Sequence, residues 1–172
     1  MTSKHKLAAV AGVLGAVATV GLQAAPARAA TITTWNTYLS MGPWSTGGFC
    51  LDSDGSSGDV YSGDRVMLFH CANGDAFQRW DVYDDGTIRP WLGPGLCLDA
   101  NWSGSWGPGN NVSLWKCNGG ANQKWNVNGD NTVTSAMNNG WCLDANGSQG
   151  YYNGDRIELW YCNGGGNQQW YM

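Results

Sequence analysis

Positive charge is what this chain has least of. Nine Lys and Arg stand against thirteen Asp and Glu, and three of the nine, Lys4, Lys6 and Arg28, fall in the first thirty residues. The remainder has six basic residues against thirteen acidic ones, a formal charge of −7. Neutralising a phosphate backbone takes clustered Lys and Arg, so no nucleic acid partner is expected. Long apolar runs are lacking too. The longest, LAAVAGVLGAVATVGL, has about sixteen residues, short of the roughly twenty that span a bilayer. With Lys4 and Lys6 before it and Ala27-Arg28-Ala29 after it, it reads as a secretory signal over 1–29 rather than a membrane anchor, and no membrane insertion is expected. Helical periodicity is missing after residue 30, which leaves α-rich folds without support. C-x-x-C spacing is missing as well, and His70 is the one histidine beyond the leader, so a zinc site is disfavoured.

What is present is repetition. Residues 30–172 have the size of one domain, and their six cysteines fall at 50 and 71, 97 and 117, 142 and 162. In an exported chain six thiols point to disulfides, which could pair in fifteen ways. Each copy opens on a shared phrase, Cys50-Leu51-Asp52, Cys97-Leu98-Asp99 and Cys142-Leu143-Asp144, and closes on Gln78-Arg79-Trp80, Gln123-Lys124-Trp125 and Gln168-Gln169-Trp170. The closing tryptophans stand 45 and 45 residues apart, which marks repeats of about 31–82, 83–127 and 128–172. Between the cysteines run Val66-Met67-Leu68-Phe69, Val112-Ser113-Leu114-Trp115 and Ile157-Glu158-Leu159-Trp160. Their period-two alternation predicts strands, with Val or Ile and the following Leu towards the core and the other two residues on the opposite face. Gly63, Gly109 and Gly154 precede these strands, where a tight turn would start each one.

A repeat this poor in apolar residues cannot bury a face alone, so the copies must share one core. Closing them on a threefold axis would also remove sheet edges. Four-stranded propeller blades use a similar period, but three blades are too few for an ordinary propeller.

These motifs resemble those of the ricin B-type lectins, whose modules also occur on secreted bacterial glycosidases as carbohydrate-binding modules of family 13 type. The likeness covers residues 48–172. It implies an all-β chain folded as a β-trefoil of three pseudo-symmetric subdomains, each with one internal bridge: Cys50 to Cys71, Cys97 to Cys117 and Cys142 to Cys162. It also implies that Trp80, Trp125 and Trp170 are core residues.

For function the resemblance implies shallow sugar sites. In the third copy Asp144, Glu158, Trp160, Asn167 and Gln168 would hold the saccharide, and in the second Asp99, Trp115, Asn122 and Gln123. The first copy keeps Asp52, Phe69 and Gln78 but has Met67 and Phe77 where polar groups are wanted, so it is expected to be weakest, with Asp52 serving a local turn. The chemistry is consistent with that. An indole covers the C–H face of a pyranose, and a carboxylate accepts bonds from two neighbouring hydroxyls. Trp160→Ala and Asp144→Ala are each expected to cut polysaccharide binding with the thermal midpoint nearly unchanged. Trp102 and Trp106 could widen the platform beside Trp115 or fold beneath their loop, and Trp35, Trp44, Trp91 and Trp141 follow no assignable pattern.

The expected ligands are galactosides, xylan or related polysaccharides, with no cofactor, no metal and no catalysis. Asp52-Ser53-Asp54-Gly55 has the look of a calcium loop, but Gly63 stands where an EF-hand needs its bidentate Glu. A glycosidase would need two positioned carboxyls, for which only Asp144 and Glu158 qualify. A trefoil acting through protein contacts, as inhibitor or toxin component, is the remaining alternative.

Overall fold

The computed structural model describes residues 29–41, 48–100, 107–147 and 150–172. The expected signal segment, Trp44, Trp102 and Trp106 lie outside the described residues, as does the Trp35 side chain. Regular structure among the described residues is strands and short 3-10 turns. The strands are β1 (Ile32–Thr37), β2 (Ser40–Met41), β3 (Phe49–Asp52), β4 (Met67–His70), β5 (Trp80–Tyr83) and β6 (Ile88–Pro90). They continue with β7 (Leu96–Ala100), β8 (Asn110–Lys116), β9 (Trp125–Val127), β10 (Val133–Ser135), β11 (Asn138–Ala145) and β12 (Ile157–Tyr161).

Each C-L-D phrase is a strand paired antiparallel with the alternating strand that follows it: β3 with β4, β7 with β8, β11 with β12. The register is the same in all three. Cys50, Cys97 and Cys142 lie opposite Phe69, Trp115 and Trp160, and Asp52, Asp99 and Asp144 lie opposite Met67, Ser113 and Glu158. The hairpins then join one another in a ring. Leu68 N donates to Asp155 O at 2.8 Å, Leu114 N to Asp64 O at 2.8 Å and Gly109 N to Leu159 O at 2.8 Å. The bridges Arg65↔Ser113, Met67↔Arg156 and Asn111↔Glu158 repeat one relation three times around an axis. Strands that would otherwise present open edges satisfy one another. The architecture is a β-trefoil.

The second end closes through the Q-x-W strands. Trp125 N donates to Gly86 O at 2.8 Å and Trp170 N to Asn131 O at 2.7 Å, so the closing tryptophan of one copy docks on the hairpin turn ahead of it. Ser40 and Tyr171 exchange backbone bonds of 2.9 and 2.8 Å, tying the first strands to the last.

The core is built from equivalent residues. Leu51, Leu98 and Leu143 from the C-L-D strands, Leu68, Leu114 and Leu159 from their partners, and Trp80, Trp125 and Trp170 are all buried. The indole N–H groups donate to the carbonyls of Leu51, Leu98 and Leu143 at 2.9, 2.8 and 3.0 Å. A buried indole without an acceptor would be penalised, so the closing motif is bonded to the opening motif of its own copy. The bridges join Cys50 to Cys71, Cys97 to Cys117 and Cys142 to Cys162.

The alternating strands depart from expectation at one face. Phe69, Trp115 and Trp160 are exposed, but Met67 and Glu158 are buried. The period-two rule gives the side of the sheet, and ring closure then lays the neighbouring copy beside positions 67 and 158.

Candidate functional site

The third copy brings most of its expected residues to one cleft of about 540 Å³, lined by Asp144, Tyr151, Glu158, Trp160, Asn163 and Asn167 among others. Trp160 stands on β12 with 40% of its surface exposed. Behind it lies the Gly109 turn of the second copy, where a Cβ would come within 3.8 Å of Trp160 Cζ3. At φ +87° that backbone favours glycine, and the position lies beside the indole at ordinary van der Waals distance for a Cβ.

Asp144 sits on β11, directly across from Glu158. Asn167 Nδ2 and Gln168 Nε2 both donate to Asp144 Oδ2, at 2.8 and 2.7 Å. Oδ1 takes neither amide bond and remains an acceptor at the cleft. Asn167 Nδ2 also donates to Ala145 O at 3.3 Å. Its amide hydrogens are thereby committed to the protein, and its Oδ1 can accept from a ligand hydroxyl. Glu158 is held by the Arg156 guanidinium. Burial pushes both carboxyls above the usual range. The amides of Gln168 and Asn167 pull Asp144 back in part, and Arg156 pulls Glu158 back in part while Asp144 adds to the upward push.

The glutamines differ from the expectation that they touch sugar. Gln78, Gln123 and Gln168 are all 0% exposed. Gln168 Nε2 donates to Asp144 and to Tyr161 O at 2.8 Å, and its Oε1 accepts from Asn163 N at 2.9 Å. Gln123 repeats this with Asp99, Lys116 O and Asn118 N, and Gln78 with Asp52, His70 O and Ala72 N. With its amide fully occupied inside the protein, each glutamine positions its carboxylate and has nothing left for a ligand.

The second copy keeps the same frame. Asn122 Nδ2 donates to both oxygens of Asp99 at 2.9 Å, and Gln123 Nε2 donates to Oδ2 at 2.8 Å. Trp115 is 50% exposed and leans on Gly63 of the first copy, whose Cβ would lie 3.9 Å from Cζ3. In the first copy Asp52 Oδ1 accepts from Asp54 N at 3.0 Å and Oδ2 from Gln78 at 3.1 Å, so both oxygens are engaged, one of them in a local turn. Its cleft, about 320 Å³, is walled by Met67, Phe69 and Phe77 with Asp52, Asp54 and Asp75 around it.

Sequence reasoning passed over Tyr151, Asn163 and Arg156. Tyr151 lines the third cleft and its ring lies 6.3 Å from Phe49 of the first copy. The Tyr151-Tyr152 pair in a Gly-rich loop was the available signal. Among the described residues no group of three or more His, Cys, Asp or Glu is placed to hold a metal ion. No helix among them is long and apolar enough to cross a membrane.

A model of the ricin-type β-trefoil lectin domain matches residues 43–170. The chain belongs to that family. Solved structures agree on the fold of this lectin-family chain. It is 22% identical to the C-terminal half of an earthworm R-type lectin solved with GalNAc, covering 80% of this chain and 97% of that one at a TM-score of 0.64. The β-trefoil lectin of the Vibrio vulnificus hemolysin, solved with N-acetyl-D-lactosamine, is 23% identical over 79% and 90% at 0.59. A non-toxic type II ribosome-inactivating-protein homologue from Momordica charantia, solved with α-methyl-D-galactoside, is 25% identical at 0.55 over 80% of this lectin-family chain, which spans about half (48%) of that longer one. No curated protein sequence matches the chain.

Proposed function

We propose that this protein is a secreted lectin that binds galactose-type or xylan-type glycans without chemically altering them, chiefly through its third copy and secondarily through its second. The observation that carries this reading is the third cleft, where an exposed Trp160 stands beside Asp144, whose Oδ2 is fixed by two amides while Oδ1 is left to accept. A sugar ring laid on the indole would meet acceptors at fixed angles. The wrong epimer would leave a desolvated group unpaired, which is how such a site selects. The three neighbours solved with GalNAc, N-acetyl-D-lactosamine and α-methyl-D-galactoside favour the galactose side of the choice. Three bridges and an apolar leader favour an oxidising, extracellular setting.

Catalysis is not part of the proposal. A glycosidase pairs an acid free to deliver its proton with a nucleophile or base. Here Glu158 is engaged by Arg156, and Asp144 by Asn167 and Gln168. A single shallow site is expected near millimolar affinity, about −4 kcal/mol, and two on one body gain by avidity on a polymer. The test is retention on a panel of immobilised glycans by the wild type and Trp160→Ala. Retention that disappears in the variant supports the reading. Retention by no glycan overturns it, and reducing-end release from an oligosaccharide replaces it with an enzyme.

A further inference from the structure

Where the three hairpins meet on the pseudo-threefold axis there is a second kind of cleft, about 270 Å³, enclosed by Arg65 and Met67 of the first copy, Asn111, Ser113 and Trp115 of the second, and Arg156 of the third. The charged side chains that line it are two arginines, on a protein with an acidic balance. Of the six basic residues beyond the leader, Arg89 and Lys124 share Asp85 on another face, and Arg79 lies over the Tyr38 ring. Two of the remaining three, drawn from different copies, line this cleft. They are unequally engaged. Arg156 is compensated by Glu158, and its Nη1 donates to Asn111 Oδ1 at 3.2 Å. Arg65 is 73% exposed and reaches Asp54 only at 3.4 Å. An exposed pair of that length contributes little, so the Arg65 guanidinium can exchange Asp54 for another carboxylate, which it is shaped to grip with two parallel bonds.

We propose that the axial cleft is a subsite for a hexuronate residue. Its ring would pack against Trp115, its carboxylate would meet Arg65, and its hydroxyls would reach Asn111 and Ser113. This rests on the reading of Trp115 as a sugar shelf. The net negative body repels a dense polyanion, so the ligand is a neutral polysaccharide that carries uronate substituents sparsely. Asp54 is the internal competitor. It stands at φ +44°, a conformation Asn tolerates well, so Asp54→Asn removes the competing charge without disturbing the turn.

The experiment follows the indole N–H signals of the mature protein by NMR while methyl glucuronide and methyl galacturonide are titrated beside the corresponding neutral methyl glycosides. At least one uronide should shift the Trp115 signal and bind about fivefold tighter than its neutral counterpart. Arg65→Gln should remove that preference, Asp54→Asn should raise it by a few fold, and added salt should weaken it. Thermal midpoints of both variants near wild type confirm intact folding. No preference for either uronide, a preference that survives Arg65→Gln, or equal displacement by inorganic sulfate overturns the proposal. If Trp115 or Trp160 still responds to neutral glycosides in that case, the lectin reading stands. Silence of both indoles towards every glycan sinks that reading as well.

Discussion

In the third copy Gly165 leads into the closing 3-10 turn (Gly166–Gln168), and a Cβ there would fall 2.4 Å from Asn167 Oδ1 and 2.8 Å from Asn163 Oδ1. In the first copy Asp75 occupies that capping position, its side chain accepts from Phe77 N, and Phe77 stands where Asn167 does. The second copy has Gly120 and Asn122 with the same two clearances as the third. Glycine and asparagine thus come as a pair: the amide that braces the carboxylate fits only where the preceding cap lacks a side chain. Having lost the amide, the first copy has no need of the bare cap. Its carboxylate is instead closed off by Asp54 N, and Phe77 packs against Gly55. What the copies share is the buried glutamine and tryptophan behind the carboxylate, and what separates them is the amide beside it and the surface that a ligand would meet.

The largest expected effect tests what is shared. Trp80→Ala and Trp170→Ala should each cost about 3–5 kcal/mol in chemical denaturation, because each indole is buried and bonded alike. A much smaller cost at one would mean that the copies are not equivalent supports. Next comes the surface. Trp160→Ala should lower polysaccharide affinity tenfold or more, about 1.4 kcal/mol, with little change in midpoint, whereas Phe69→Ala should leave binding within about twofold in affinity gels.

Asp144→Ala should lose as much binding as Trp160→Ala, but the structure revises the expectation that it leaves stability alone. Gln168 Nε2 and Asn167 Nδ2 would each lose a buried acceptor, costing about 1–3 kcal/mol. A melt of this variant indistinguishable from wild type would contradict the brace.

Acidification gives a subtler separation. Asp52, Asp99, Asp144 and Glu158 all have folded pKa values above their ordinary ones, chiefly through burial. The folded protein therefore holds more protons than the unfolded chain between the ordinary and the raised values. Across that window these groups make stability rise, not fall, as pH is lowered, while the ionised acceptor that binding requires is lost. Asp85, held down to about 2, works in the opposite direction only below the ordinary Asp range. Calorimetry should show binding fading before the midpoint drops; loss of both together would mean that binding fails through unfolding. The smallest effect is Phe77→Asn, which should restore no measurable binding to the first copy, since Asp52 Oδ1 is already taken.

Much of the frame was legible in the sequence because it is written locally. Cys-Leu-Asp, the alternating strand and Gln-x-Trp carry their own periodicity, and each occurs in three copies. That Trp160, Asp144 and Asn167 would share one cleft follows from the same repetition. The role of Gln168 was misread because a polar side chain beside a motif looks the same whether it faces solvent or the buried side of a carboxylate. Glu158 and Arg156, two residues apart on one strand, gave no sign that one would be covered and the other half open. That depends on Asn111 of the preceding copy. The axial cleft draws on residues from three repeats and could be found only once the ring was closed.

Trp160 leans on a glycine of the second copy, and Trp115 on a glycine of the first. Neither exposed indole therefore has its surroundings wholly within its own copy. A single unit excised from this ring would leave behind the turn that flanks its indole, so the surroundings of each exposed ring are a property of two successive copies and not of one.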